Sequence, residues 1–277
     1  MTVCKTISAS KIASPFRKHV KNVILKERIK PKLVGLLANN DPGACKYAEW
    51  TSKVCKETGI DFELRKIDKH SINDHIEKAN MDQQINGIMV YYPVFGHEVD
   101  NQLQNKISPL KDVEGLGQIL EYTGKYNTRL PYCERLKGTN VAIVNRSKIA
   151  GSPLAAILAN EGANVFSVDI NDIQVFQKPD DRNHCSVRNT QLKYDQAISS
   201  SDIVITGVPS SDFKLSSALL KPGVTAINFS MNSNFDSDVK SKAGCYVPSI
   251  GQVTVAMLVR NALRLYHYQR KQMDLTK

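Results

Sequence analysis

Short apolar runs alternate with amphipathic helical stretches through most of this chain. Folds built on a mostly parallel sheet covered by helices satisfy that alternation. Residues 32–38 (Lys-Leu-Val-Gly-Leu-Leu-Ala) form an apolar run after the first lysine, which predicts a strand buried on both faces. A helix is expected before it, because Ile12, Phe16, Val20 and Val23 step by three and four with Ser8 or Ser10 available as cap. Another is expected over residues 43–59, closed by Gly59 in a left-handed cap. The cycle continues with strands over 62–67 and 85–94 and helices over 71–80 and 99–107. Residues 116–137 show no period and read as a linker. Beyond them strands are expected at 139–144, 164–169, 202–206, 224–228 and 245–247, helices at 151–160 and 253–268, and irregular chain over 171–193.

At about 150 residues per domain, 277 residues suit two such units. The 37 Lys and Arg exceed the 27 Asp and Glu by ten, with a pI near 9.2. Neither basic stretch, before Glu27 or after Arg260, interleaves aromatics as a base-stacking surface does, so no nucleic-acid partner is expected. The excess is either a solvated positive face or an attractor of phosphorylated and polycarboxylate small molecules. No apolar run approaches the roughly 18 residues that cross a bilayer, so no membrane partner is expected. The six cysteines form no CxxC pair and read as reduced thiols, which points to the cytoplasm. The Lys- and Ser-rich N-terminus passes at once into a core-like pattern instead of a transit segment. No metal site is read.

One turn carries a specific chemistry. Asn145-Arg-Ser-Lys-Ile-Ala-Gly-Ser-Pro153 lies between an expected strand and helix, which puts Gly151 and backbone N–H groups where an anion is favoured. GxGxxG is absent, so a plain strand-to-helix connection is the competing reading. Asp169 ends the next strand, where an acid can accept hydrogen bonds from ribose hydroxyls and would repel a 2′-phosphate, although Arg146 and Lys148 stand near in sequence. Gly207-Val-Pro209 follows a later strand and falls on the sheet edge that binds ligands in parallel folds.

Six ordered segments have a joint counterpart: Leu33-Val-Gly-Leu-Leu-Ala-Asn-Asn-Asp-Pro42, Tyr47-Ala-Glu-Trp-Thr51, Asn86-Gly-Ile-Met-Val-Tyr-Tyr-Pro-Val-Phe-Gly96, Lys111-Asp-Val-Glu-Gly115, Asn145-Arg-Ser147 with Gly151 and Pro153, and Tyr246-Val-Pro-Ser-Ile-Gly-Gln-Val-Thr-Val-Ala-Met257. Together they resemble the methylenetetrahydrofolate dehydrogenase/cyclohydrolase family, most closely its fungal, monofunctional, NAD-dependent branch, from about residue 7 to 265. The resemblance implies two α/β domains with a cleft between them. The first is a folate-binding catalytic domain, residues 1–137 with a returning helix 252–277, and the second a Rossmann-like NAD-binding domain, residues 138–251. It implies NAD-dependent oxidation of 5,10-methylenetetrahydrofolate to the 5,10-methenyl form in one-carbon metabolism, with a tetrahydrofolate derivative as substrate, NAD as cofactor, and a homodimer. Carried over position by position, Tyr47, Thr51 and Glu114 serve catalysis, and Tyr47, Tyr91, Pro93, Glu114 and Thr254 touch the substrate. The cofactor falls to Arg146, Ser147, Gly151, Val168, Asp169, Gly207, Val208, Pro209 and Thr254.

Two departures shape the expected activity. Bifunctional members carry a lysine four residues after the tyrosine, where it assists water attack on the methenyl product; here Thr51 occupies that position and has no basic end. Lys53 is about 200° further round the helix and is a poor substitute. Tyr91 stands where bifunctional members have Gln. Dehydrogenation without efficient cyclohydrolysis is therefore expected. The chain also lacks the family's Pro-Cys-Thr-Pro segment and the long helix after it, with residues 130–136 resembling what normally follows that helix. The alternative reading is a non-catalytic NAD- or folate-binding homologue disabled by this loss.

Overall fold

The computed structural model describes residues 3–115, 136–178 and 185–275. The expected linker lies outside the described residues except for Leu136 and Lys137, as do the site of the missing helix and the rest of the segment before Leu136. From the N-terminus come β1 (Lys5–Thr6), α1 (Ala9–Glu27), β2 (Lys32–Leu37), α2 (Pro42–Thr58), β3 (Asp61–Lys66), α3 (Ile72–Met81), β4 (Gly87–Val90) and α4 (His97–Lys106). After residue 136 follow β5 (Asn140–Val144), α5 (Gly151–Asn160), β6 (Asn164–Val168), β7 (Ile173–Gln177), β8 (Ser186–Asn189), α6 (Tyr194–Ser199), β9 (Ile203–Thr206), β10 (Thr225–Asn228), β11 (Cys245–Val247) and α7 (Gly251–Leu275). Two compact units result, one from residues 12–115 and 252–275, the other from residues 3–11 and 136–251.

The first unit is a three-stranded parallel sheet in the order β3-β2-β4. Central β2 is buried on both faces, which explains its unbroken apolar reading. Leu33 and Leu37 face Val20 and Ile24 of α1, Ala48 and Val54 of α2, and Val255, Val259 and Ala262 of α7. Val34 and Leu36 face the opposite way, against Ile72 and Ile76 of α3 and Leu103 of α4. Each such fully buried branched side chain contributes roughly 1.5–3 kcal/mol. Helix α2 starts where Asp41 accepts the Ala44 N–H at 2.8 Å, with Pro42 in its first turn. It stops at Gly59, which takes the expected left-handed conformation (φ 88°) and donates to the Cys55 carbonyl.

Two buried polar devices secure this unit. Lys111 donates its Nζ to the carbonyls of Ala79, Asn80 and Asp82 at 2.7–2.9 Å, satisfying acceptors that the end of α3 leaves open. Gln269 of α7 donates to the Asn86 and Leu110 carbonyls and accepts from the Asn86 side-chain amide at 2.9 Å. Asn86 in turn accepts the Lys32 N–H, so one hydrogen-bonded chain joins α7 to the starts of β4 and β2. Helix α7 runs further than its apolar periodicity suggests, to Leu275.

The second unit is an eight-stranded sheet ordered β1-β11-β10-β9-β5-β6-β7-β8. From β1 to β6 every pairing is parallel, whereas β7 and β8 are antiparallel additions. This corrects the expectation of irregular chain over residues 171–193. Ile173 and Val175 are buried but alternate with Gln174 and precede a terminal Gln177, and edge strand β8 is mostly exposed, so neither presents a parallel-core apolar run. The two-residue β1 and the short α6 were also absent from the sequence pattern. The strand order reverses at β5, which has β6 on one side and β9 on the other. At such a switch point the loops leaving the carboxyl ends diverge and open a ligand crevice.

Candidate active site

In the first unit the chemistry-bearing side chains gather beyond the carboxyl ends of β2 and β4. Tyr47, on the second turn of α2, meets the Tyr91 ring edge-on, with centroids 5.9 Å apart and planes at 79°. One turn further along α2, Thr51 is fully buried and donates its hydroxyl to the Tyr47 carbonyl at 2.8 Å. Lys53 is exposed, and its Nζ sits 5.1 Å over the Trp50 ring. No amine therefore stands at the position four beyond Tyr47, and the Lys53 amine is engaged over Trp50.

Glu114 comes from the stretch beside β4, where a parallel bridge joins Ile88 to Asp112. Asp112 accepts the N–H groups of Glu114 and Gly115 at 3.0 and 2.8 Å, which fixes the loop that presents the glutamate. Burial pushes the Glu114 carboxyl up to about 8, the negative charge of Asp112 adds to the rise, and a backbone hydrogen bond at Val90 opposes it. Burial also raises the phenols of Tyr47, Tyr91 and Tyr92 above the ordinary tyrosine range, and Glu114 adds to the rise in all three. At neutral pH the cluster is thus three neutral phenols around a carboxyl poised between its two forms.

The chain after β4 is tied down by residues that the sequence reading did not single out. Asn39 donates its side-chain amide to the carbonyls of Tyr91 and Pro93 at 2.9 and 2.7 Å. Asp100 accepts the N–H groups of Val94 and Phe95 at 3.0 and 2.9 Å. The Tyr92–Pro93 peptide is cis, and Pro93 is exposed. The buried Tyr92 hydroxyl has no hydrogen-bond partner among the described residues. Asn39 and Asp112 lay inside recognised motifs, but their backbone-capping roles had no sequence signal of their own.

In the second unit, the loops after β5, β6 and β9 share one sheet edge because these strands run parallel. Asn145 leaves β5 with φ 94° and donates its side-chain amide to the Gly207 carbonyl at 2.6 Å, joining two of the loops. A side chain at Gly151 would place its Cβ 1.9 Å from the Asn145 carbonyl oxygen, so the approach of α5 to this loop requires glycine. At Gly207 a Cβ would fall 1.8 Å from the Phe229 ring. The expected row of free amides at the start of α5 needs correction. Ser147 Oγ accepts from the Ala150 and Gly151 N–H groups, both at 3.3 Å, and the Ser147 carbonyl accepts from Ser152.

The Gly207-Val208-Pro209 backbone is held by Asn234, which accepts the Val208 N–H and donates to its carbonyl, and by Asn232, which donates to the Pro209 carbonyl. Asp169 follows β6 on the same edge, with Oδ1 accepting the Ile170 N–H at 2.9 Å and Oδ2 4.0 Å from Arg146. Val168 contributes differently from the other expected cofactor residues. Its side chain is buried in the core and its carbonyl is taken by the Asn145 N–H, because it still belongs to the paired strand. Thr254 lies exposed in the first turn of α7, in the first unit. Among the described residues no three His, Cys, Asp or Glu side chains are placed to hold a metal ion. Nor is any described helix long and apolar enough to cross a membrane.

Residues 7–114 match the model of the tetrahydrofolate dehydrogenase/cyclohydrolase catalytic domain. The chain is 42% identical to the NAD(+) methylenetetrahydrofolate dehydrogenase of Schizosaccharomyces pombe, over 96% of this chain and 94% of that protein. It is 40% identical to the NAD-dependent 5,10-methylenetetrahydrofolate dehydrogenase of Saccharomyces cerevisiae, whose solved structure it matches with a TM-score of 0.87, covering 96% of this chain and 98% of that one. A bifunctional FolD of Campylobacter jejuni shares the fold at 20% identity, with a TM-score of 0.76 and coverage of 94% and 98%.

Proposed function

The chain belongs to the tetrahydrofolate dehydrogenase/cyclohydrolase family, and on that premise we propose that it oxidises 5,10-methylenetetrahydrofolate to the 5,10-methenyl form with NAD as acceptor, without efficient cyclohydrolysis. The similarity to NAD-dependent enzymes over nearly the whole chain supports the oxidation and makes the non-catalytic alternative the weaker reading. The observation that carries the restriction to one activity is Thr51, buried with its hydroxyl donating to the Tyr47 carbonyl where a water-activating lysine would have to stand. Cytoplasmic residence and a homodimeric state, with neither nucleic acid nor membrane as partner, complete the proposal. All five described cysteines being free thiols supports the first.

Bound NAD supplies the hydride acceptor, and the residues of the second unit fit a dinucleotide. Gly151 and Gly207 keep the backbone free of side chains at the switch point, and the Asp169 carboxylate, just after β6, is able to accept hydrogen bonds from ribose hydroxyls. Arg146, Ser147, Val208 and Pro209 line the same loops. On the folate side Tyr47 offers apolar ring surface with a polar tip, backed by the buried Tyr91 ring, and Pro93 lies exposed two residues beyond Tyr91. Glu114 accepts hydrogen bonds from the pterin's donor nitrogens. In its ionised form it offsets the positive charge that develops as the methylene carbon loses hydride. No obligate general base is required, so the protein's contribution is orientation at about 3–3.5 Å and charge stabilisation.

The test is an absorbance assay of the purified chain with methylenetetrahydrofolate and NAD, paired with hydrolysis of the methenyl compound. NADH formation with slow methenyl decay supports the reading. Binding of NAD without turnover would favour the non-catalytic alternative, and methenyl hydrolysis as fast as NADH formation would refute the restriction to one activity.

A further inference from the structure

The turn joining β6 to β7 controls an arginine. The Asp169 N–H donates to the Asp172 carbonyl at 3.0 Å, which closes residues 169–172 and leaves both carboxylates on one short loop whose tip, Ile170, is 95% exposed. Arg146 reaches this turn from the loop after the neighbouring strand β5. Its Nη2 hydrogen-bonds the Asp172 carboxylate and lies 4.0 Å from Asp169 Oδ2, while its Nη1 donates to the Ser167 carbonyl at 3.1 Å. The Arg146 side chain is only 13% exposed, so it is fixed there and does not sample solvent freely.

A guanidinium at the end of the second strand of a dinucleotide unit is the group best shaped to take a ribose 2′-phosphate, because its planar fork matches the phosphate oxygens. Here both ends of the fork are already engaged, and two carboxylates stand where a dianion would have to approach. The two acids divide the work. Asp169 is the more distant from Arg146 and remains available to ribose hydroxyls, whereas Asp172 makes the direct ion pair.

We propose that Asp172, acting through Arg146, is a specificity-determining residue that sets the preference for NAD over its 2′-phosphorylated counterpart. The inference rests on reading this unit as a dinucleotide site. Asp172 is a positioning residue here: it withholds the arginine and adds a repelling charge.

The experiment uses the full chain with Asp172→Asn, Asp172→Ser and Asp172→Glu. Calorimetric binding of 2′,5′-ADP and 5′-ADP is measured alongside kcat/KM for NADP and NAD. Asn and Ser are expected to raise the 2′,5′-ADP to 5′-ADP affinity ratio by about tenfold or more, with the NADP to NAD kcat/KM ratio following, while Glu keeps the wild-type ratios. Adding Arg146→Ala to Asp172→Asn should abolish the gain. Ratios within about twofold of wild type in both Asn and Ser, or a gain that survives loss of Arg146, would overturn the proposal. Absence of NADH formation by the wild-type chain would instead refute the activity proposed above, and the ADP comparison would still stand on its own.

Discussion

Replacing Glu114 by Gln should change both the stability and the chemistry of this protein, in opposite directions. Burial and the neighbouring Asp112 charge raise this carboxyl from an ordinary 4.5 to about 8. Each tenfold change in proton affinity is worth about 1.4 kcal/mol, so the ionised form is opposed by about 5 kcal/mol in the folded state. A raised carboxyl favours the folded state fully below the unfolded value, and that contribution is lost as pH rises through the folded value. Between about pH 5 and pH 9 the wild-type chain should therefore lose about 4 kcal/mol through this residue, and Glu114→Gln should not. Urea unfolding at several pH values reads the difference directly. The substituted protein should be the more stable one at high pH, yet slower by about 100-fold in NADH formation for want of a carboxylate against the developing cation. The activity of the wild type should rise through a pH near 8 in kcat/KM, and the Gln variant should lose that rise. If both proteins unfold with the same pH dependence, the burial argument for Glu114 is wrong.

Other perturbations test other parts of the account. Lys111→Met removes three hydrogen bonds to the carbonyls at the end of α3 and should cost about 2–4 kcal/mol in urea unfolding, with equal stability refuting the capping role. Gly151→Ala forces a Cβ against the Asn145 carbonyl and should weaken NAD binding by at least about tenfold in calorimetry, whereas unchanged affinity would remove this turn from the cofactor site. Thr51→Val removes a hydroxyl that donates to the Tyr47 carbonyl and also interacts with the Tyr91 phenol. NADH formation should fall by less than about tenfold, and a larger loss would give the hydroxyl a direct part in the chemistry.

What the sequence reveals tracks how local the cause is. The run at β2 and the end of helix α2 were legible because burial on two faces and the Gly59 cap are written in the local sequence, whereas the Asp41 cap and Pro42 that start α2 emerged only in the structure. The β7 and β8 pair was not, because it depends on an edge being available next to β6, and its polar alternation resembles loop. The same divide runs through the site. Tyr47, Thr51, Gly151 and Asp169 could be placed from spacing and resemblance. The pairing of Arg146 with Asp172 depends on the unseen hairpin, the Asn39 clamp spans more than fifty residues, and the raised proton affinity of Glu114 comes from its desolvation in the folded chain. Val168 shows the converse: its position was legible, but its carbonyl had a partner in Asn145 that spacing does not reveal.

The most direct test of the central claim is isotopic. With methylenetetrahydrofolate deuterated at the one-carbon bridge and unlabelled NAD, mass spectrometry of the recovered nucleotide should show one deuterium per molecule of NADH formed. NADH without deuterium, or an unreacted mixture under conditions where the chain is folded, would contradict hydride transfer from the folate carbon to the nicotinamide.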